Sequence, residues 1–375
     1  MLDRRTFLRA AGATGLAVVA GPAALGACSS GDAPDEAGQL GLVQFGAGVG
    51  PESAQIGAWF TIAQRLGYFA QEGVRARVMK IQTPSALVQA GKLQSAIEVP
   101  SELLPFVVQN PSTDIVVAWT AVPTPIMRAA VPATSDIHQF SDMAGKRIGT
   151  LGPGLNWSFV DALSVQAGID PKSVQKLTVP FTPAAMVASF RQNRMDAGLF
   201  ADTLVVQTDE LLEGDPMGPL RVLPIPESMK TKGNSHYIFR RSTVDRNHDF
   251  YVGYLRGVAK GWTFLNANLR AGLSVHLDAY PLLRRSDETR EDTIDRLVRE
   301  VTPRLAASQP PAWATEKHPW GWTYEENLSG WEDILPVLRG RKLDTSRLFR
   351  NDLVGLAYDF DSAAIVKAAK EYKVN

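Results

Sequence analysis

Two carboxylates stand at the ends of predicted strands of this 375-residue chain. Glu98 lies near the end of the run at 95–99, and Asp202 comes two residues after the apolar run at 197–200. A carboxylate at the end of a buried strand must be solvated, paired with a cation or used in binding, because an isolated buried charge is costly. We expect both carboxylates to accept hydrogen bonds from a bound ligand.

Hydroxyl, amide and indole groups stand at similar places, after strands or at helix starts. Thr83 and Thr182 each precede a proline, and a Thr-Pro pair opens a helix well because threonine caps it and proline suits its first turn. Such hydroxyls often serve only as caps, and indoles at helix starts often face the core. The predicted ligand-binding residues are Trp59, Thr83, Glu98, Trp119, Asn156, Trp157, Ser158, Thr182 and Asp202.

The elements that carry these residues alternate between short apolar runs and helical patterns, which predicts an α/β protein. Residues 83–97 and 182–198 share one order of predicted elements: a Thr-Pro pair, a short helix, a polar break and a strand. A duplication of this kind suggests two α/β lobes with a ligand cleft between them.

Composition excludes several other classes. Lys+Arg and Asp+Glu both number 39, so the chain is neutral and lacks the basic excess that nucleic-acid binding requires. One cysteine and five scattered histidines predict no disulfide and no metal site. The sequence contains no Gly-x-Ser-x-Gly, Walker or His-Glu-x-x-His motif, so we expect no cofactor and no catalytic residues.

The N-terminus resembles an export signal. Arg4 and Arg5 form a twin arginine, and an Ala- and Gly-rich apolar run follows at 10–27. This run is less hydrophobic than a Leu-rich spanning helix and is typical of a signal peptide.

The apolar run ends in Leu25-Gly26-Ala27-Cys28, which resembles a lipobox. We therefore predict a twin-arginine lipoprotein signal peptide at 1–27, lipidation of Cys28, and a flexible polar tether at 28–39. The mature protein would be exported and anchored by acyl chains, on the outer face of the cytoplasmic membrane or in the periplasm.

Residues 58–74, with the run Gly67-Tyr68-Phe69-Ala70-Gln71-Glu72-Gly73, resemble the opening of the nitrate/sulfonate/taurine and pyrimidine-precursor solute-binding proteins of ABC transporters. Residues 85–97 resemble the next part of that pattern, although Gln94-Ser95 stands where the family often has Val-Asp. Residues 186–200 and 330–354 resemble its later parts, so the likeness covers most of 40–360.

The resemblance implies the type II periplasmic-binding fold, with two α/β lobes, a hinge and two crossovers. Lobe 1 would comprise 40–130 and 241–375, and lobe 2 would comprise 131–240, with crossings near 128–135 and 236–241. It further implies a monomer that binds a small-molecule solute in the cleft and delivers it to ABC permease and ATPase subunits.

The resemblance leaves the ligand open. Glu98 and Asp202, with Trp59, Trp119 and Trp157, favour a planar ring that bears N–H or O–H donors, such as a pyrimidine-precursor-like solute. The alternatives are a receptor for sulfonate, taurine or nitrate anions, a sensory binding protein that serves no permease, and a pyrimidine-synthase-like enzyme on the same fold.

Overall fold

The computed structural model describes residues 40–374, except 82–83, 153–154, 181 and 342. The predicted signal peptide, Cys28, the tether and Thr83 therefore lie outside the described residues. None of the described helices is long and apolar enough to cross a membrane.

The described residues form ten strands and fourteen α-helices, which confirms the α/β prediction. The strands are β1 Gly41–Ala47, β2 Val74–Lys80, β3 Ser95–Glu98, β4 Ile115–Val122, β5 Met127–Pro132, β6 Arg147–Thr150, β7 Gln175–Thr178, β8 Ala197–Ala201, β9 Leu220–Val222 and β10 Ser235–Arg240. The helices are α1 Ala54–Arg65, α2 Tyr68–Gln71, α3 Pro84–Gln89, α4 Pro100–Gln109, α5 Leu155–Gln166, α6 Pro183–Arg191, α7 Asp202–Leu211, α8 Arg241–Arg246, α9 His248–Ala267, α10 Leu269–Ala279, α11 Arg290–Ala307, α12 Glu325–Leu328, α13 Asn351–Ala357 and α14 Ser362–Glu371.

The strands build two five-stranded sheets of the same pattern. The first has the order β2-β1-β3-β10-β4 and the second the order β7-β6-β8-β5-β9. In each sheet one strand, β10 or β5, runs antiparallel to both of its neighbours. The other four strands of each sheet therefore share one direction, and their carboxyl ends lie along one edge.

The chain crosses between the sheets twice, from β4 to β5 and from β9 to β10. Since β5 and β10 are antiparallel, both crossings join the carboxyl edge of one sheet to that of the other. The expected boundary at 130–131 divides β5, and the boundary at 240–241 assigns β10 to lobe 2 although it pairs with β3 and β4. Strands β5, β8 and β10 are all mostly buried, so an apolar strand carries no local signal of the sheet it joins. Below, lobe 1 is the first sheet with its helices, and lobe 2 is the second sheet with α5–α7.

Three apolar clusters form the core. The first lies on the face of the lobe 1 sheet covered by α1, α9, α10, α13 and α14. The second contains side chains of both lobes, including Leu103 of α4 and Phe159 of α5. The third lies within lobe 2 and includes Phe190 and Phe200. The lobes are thus in apolar contact on the side where α4 and α5 meet.

Candidate functional site

In lobe 1, Glu98 stands at the carboxyl end of β3, at the edge where both crossings lie. Its side chain is only 5% exposed. The Ser85 hydroxyl of α3 donates to Glu98 Oε2 at 2.7 Å, and the Val99 amide donates to Oε1 at 3.2 Å. Both carboxyl oxygens thus already accept hydrogen bonds from within the chain.

Burial, together with the nearby charge of Glu102, raises the pKa of Glu98 to about 8. His236, directly opposite Glu98 in the sheet, is fully buried, and burial lowers its pKa to about 3. The imidazole is therefore neutral at physiological pH and supplies no cation to Glu98. A carboxyl with this pKa is mostly protonated at pH 7, so it can donate a hydrogen bond as well as accept one.

In lobe 2, Trp157 lies at the start of α5, and its indole N–H donates to Thr150 Oγ1, at the end of β6, at 3.0 Å. Trp157 and the adjacent Ser158 are half-buried. The Asn156 side chain lies outside the described side chains. Thr182 is exposed and caps α6, since its hydroxyl accepts from the Ala185 amide at 3.3 Å.

Asp202, the first residue of α7, is paired across the lobes with Arg304 of α11. Arg304 Nη2 lies 2.7 Å from Asp202 Oδ1, and Arg304 Nε lies 3.0 Å from Oδ2. Only 4% of the Arg304 side chain and 9% of the Asp202 side chain are exposed. Beside this pair, Gln55 of α1 accepts hydrogen bonds from Arg304 and from the Thr203 hydroxyl. Asp202 therefore faces a lobe 1 cation.

The polar contact continues along α7 and α11. Gln207 Nε2 donates to Glu300 Oε2 at 2.9 Å, and Arg299 pairs with Glu210 at 3.2 Å near the surface. A cavity of about 160 Å³ lies beside this contact between α7 and α11, and residues at the start of α1 also line it. A larger groove of about 760 Å³ runs along β2 and α1, but every residue that lines it belongs to lobe 1. We therefore associate the candidate site with the interlobe edge.

Trp59 and Trp119 lie inside the core of lobe 1, with 1% and 0% of their surface exposed. The Trp59 indole N–H donates to the Tyr237 hydroxyl at 2.9 Å, and its ring packs edge-on against Trp262 and Trp320. Trp119 packs against Trp320 and stacks on Tyr358. Other aromatic rings cover both indoles, so neither Trp59 nor Trp119 belongs to the candidate site.

Asn327 of α12 holds the two crossings together. Its buried side-chain amide donates to the Pro123 carbonyl of the first crossing at 2.8 Å and to the Thr231 carbonyl of the second at 2.9 Å. The backbone N–H of Asn234 also donates to the Val122 carbonyl at 2.9 Å. Hydrogen bonds thus connect the two linkers between the lobes.

Sequence reasoning missed Gln55 and Arg304, which lie beside Asp202. It also missed Arg128, near the start of β5, which the charge of Asp202 attracts. Arg304 lies on an amphipathic helix among other charged residues, and nothing local marks it as a partner of Asp202. Arg128 did carry a signal, because it is the one charged residue in the apolar strand β5.

A family model described as NMT1/THI5 like matches residues 57–269, which is more than half of the chain. The chain belongs to this family. Sequence comparison with curated proteins gave no match.

Solved structures of similar fold have low sequence identity to this chain. A protein from Bordetella bronchiseptica RB50 has a TM-score of 0.60 at 15% identity, over 84% of this chain and 96% of that chain. The putative periplasmic sulfonate-binding protein SsuA of Methylobacillus flagellatus KT has a TM-score of 0.54 at 14% identity, over 85% and 94%. The periplasmic nitrate-binding protein NrtA of Synechocystis PCC 6803 has a TM-score of 0.53 at 15% identity, over 89% and 99%. The type II periplasmic-binding fold is thereby confirmed.

Proposed function

We propose that this protein is an exported, lipid-anchored solute-binding protein that delivers a small molecule to an ABC importer. The observation that carries the proposal is the pair of sheets whose carboxyl edges meet at two adjacent crossovers. Free amide groups at helix starts collect at such edges, and a ligand that touches both lobes can draw them together. The nitrate- and sulfonate-binding proteins of similar fold support this role.

For the ligand, we propose a small planar solute held between the lobes. Trp59 and Trp119 are buried in the core of lobe 1, whereas Trp157 is half-buried at the cleft edge. There its ring can stack on a ring of the ligand. Ser158 adds a hydroxyl beside it. A protonated Glu98 suits a neutral or acidic ligand better than a cationic one, because it presents no net charge. A small aliphatic anion is the alternative, and it would bind without stacking.

Ligand binding should close the cleft. We expect a solute with affinity for both lobes to reduce the radius of gyration in solution scattering. It should also add about 2.7 kcal/mol to the free energy of unfolding at 100 times its dissociation constant. A melting screen of aromatic acids, pyrimidines, sulfonates and nitrate identifies the solute, and scattering at saturation tests closure.

A solute that binds without any change in the radius of gyration would contradict the two-lobe receptor. Chemical turnover of the bound solute would instead favour the enzyme alternative. A sensory protein would bind the solute equally well, but its deletion would leave solute uptake by the cell unchanged.

The anchor depends on Cys28, because only a thiol accepts the lipid. We expect Cys28→Ser to abolish acylation and release the protein from membranes, as measured by lipid labelling and carbonate extraction. Replacing Arg4 and Arg5 by lysine should block export while leaving the lipobox intact. Membrane retention of Cys28→Ser with unchanged lipid label would refute the anchor, and normal export of the double lysine variant would refute the twin-arginine route.

A further inference from the structure

Arg128 is a partly buried cation without an ion-pair partner among the described residues. It lies near the start of β5, where its neighbour Met127 pairs with Ala201, the residue before α7. The one hydrogen bond that its side chain makes to described residues goes from Nη1 to the Met127 carbonyl at 3.1 Å. Burial lowers the pKa of the guanidinium, and the Asp202 charge opposes that effect. An arginine has five N–H donors, so most of those of Arg128 lack an acceptor within the part of the chain that the structure describes.

Asp202 attracts Arg128 through space but does not pair with it. Both Asp202 oxygens bind Arg304, and Oδ1 also accepts from the Thr203 amide at 2.8 Å. Around Asp202, two guanidinium groups thus surround one carboxylate, which leaves one positive charge in excess. This excess lies at the start of α7, where helix amides add to the positive potential.

A half-desolvated guanidinium costs stability unless an anion meets it. Its place at the lobe interface makes that anion part of an interlobe ligand rather than of the core. We propose that Arg128 binds an acidic substituent of the solute, a carboxylate, sulfonate or phosphate group, by charge-assisted hydrogen bonds. This inference rests on the proposed function. It restricts the proposed planar solute to one whose ring bears an acidic group, called a ring acid below.

The distance between Arg128 and Trp157 suits such a ligand. One strand, β8, separates β6 from β5 in the lobe 2 sheet. Neighbouring strands lie about 4.8 Å apart, so the end of β6 and the start of β5 are roughly 10 Å apart along the edge. A ring against Trp157 with an acidic group directed toward β5 spans that length.

The test compares matched pairs of probes that differ only in charge: benzoate with benzamide, benzenesulfonate with benzenesulfonamide, and inorganic phosphate as the bare anion. The variants are Arg128→Gln, Arg128→Lys and the control Arg194→Gln, which removes the same charge from an exposed position before β8. Titration calorimetry and melting are measured for each.

We expect the ring acids to bind the wild type at least tenfold more tightly than the amides. Arg128→Gln should weaken the acids by about tenfold to a hundredfold and leave the amides unchanged. Arg128→Lys should keep part of the affinity, and Arg194→Gln should keep all of it. Ligand-free Arg128→Gln should melt at or above the wild-type temperature, because it loses an unpaired charge.

Equal binding of the ring acids to the wild type and to Arg128→Gln overturns the proposal. A lower melting temperature of ligand-free Arg128→Gln also overturns it, because Arg128 would then stabilise the fold. Failure of every acid and of phosphate to bind also overturns it. A neutral solute that closes the cleft would refute the acidic subsite and leave the solute-binding function intact. Absence of closure with any solute would refute that function itself.

Discussion

Arg304→Met should open the cleft. The substitution leaves the Asp202 carboxylate buried at the lobe interface without its hydrogen-bonded cation from the other lobe. Arg128, which lies in the same lobe as Asp202, attracts it only through space. Removing one partner of a buried ion pair costs about 3–5 kcal/mol. Here the carboxylate can regain water simply by separation of the lobes, so the cost should appear as a shift from closed to open rather than as unfolding. A shift of that size changes the closed-to-open ratio by more than about a hundredfold. We expect the ligand-free wild type to exchange between open and closed forms. Solution scattering without ligand should therefore show a larger radius of gyration for Arg304→Met than for the wild type.

A matched control lies on the same two helices. Arg299→Met breaks the pair with Glu210, in which the Arg299 side chain is 58% exposed, so it should change little because surface pairs contribute about 0–1 kcal/mol. Adding Asp202→Asn to Arg304→Met removes the unpaired charge and should restore part of the closed population. Equal radii for Arg304→Met and Arg299→Met would show that the buried pair does not hold the lobes together.

The stability of the protein should fall as pH rises from about 4.5 to about 8, because Glu98 has a raised pKa in the folded chain. Its pKa is raised from an ordinary value of 4.5 to about 8 by burial and by the charge of Glu102. In this window the folded chain keeps a proton that the unfolded chain has lost. The contribution is therefore full below pH 4.5, decreases by about 1.4 kcal/mol per pH unit above it, and is lost beyond pH 8. His236 remains neutral throughout, since its pKa is about 3.

Glu98→Gln should remove this part of the slope, because the amide keeps the shape of the carboxyl and does not ionise. Denaturant unfolding from pH 5 to pH 9 measures the difference between the variant and the wild type at each pH. Glu288→Gln is the control, because pairing with Arg296 lowers the pKa of Glu288 to about 2 and so places its effect at acidic pH. An unchanged slope in Glu98→Gln would show that the Glu98 carboxyl ionises normally.

Local pattern determined much of the fold. The alternation of apolar runs and helices predicted the α/β class, and the Thr-Pro pairs predicted helix starts, one of which Thr182 caps. The sequence also placed Glu98 and Asp202 at the ends of predicted strands, and the structure has them at the carboxyl ends of β3 and β8. These features depend on residues that are close together in the sequence, so they can be predicted without the tertiary structure.

Tertiary structure decided what those side chains do. Asp202 meets Arg304, 102 residues later, and no local pattern encodes that meeting. Trp59 and Trp119 were candidate ligand contacts, yet distant rings such as Trp320 and Tyr358 enclose them. The sheet that β10 joins depends on long-range pairing with β3 and β4. Desolvation sets the pKa of Glu98, and burial is a property of the packed molecule alone.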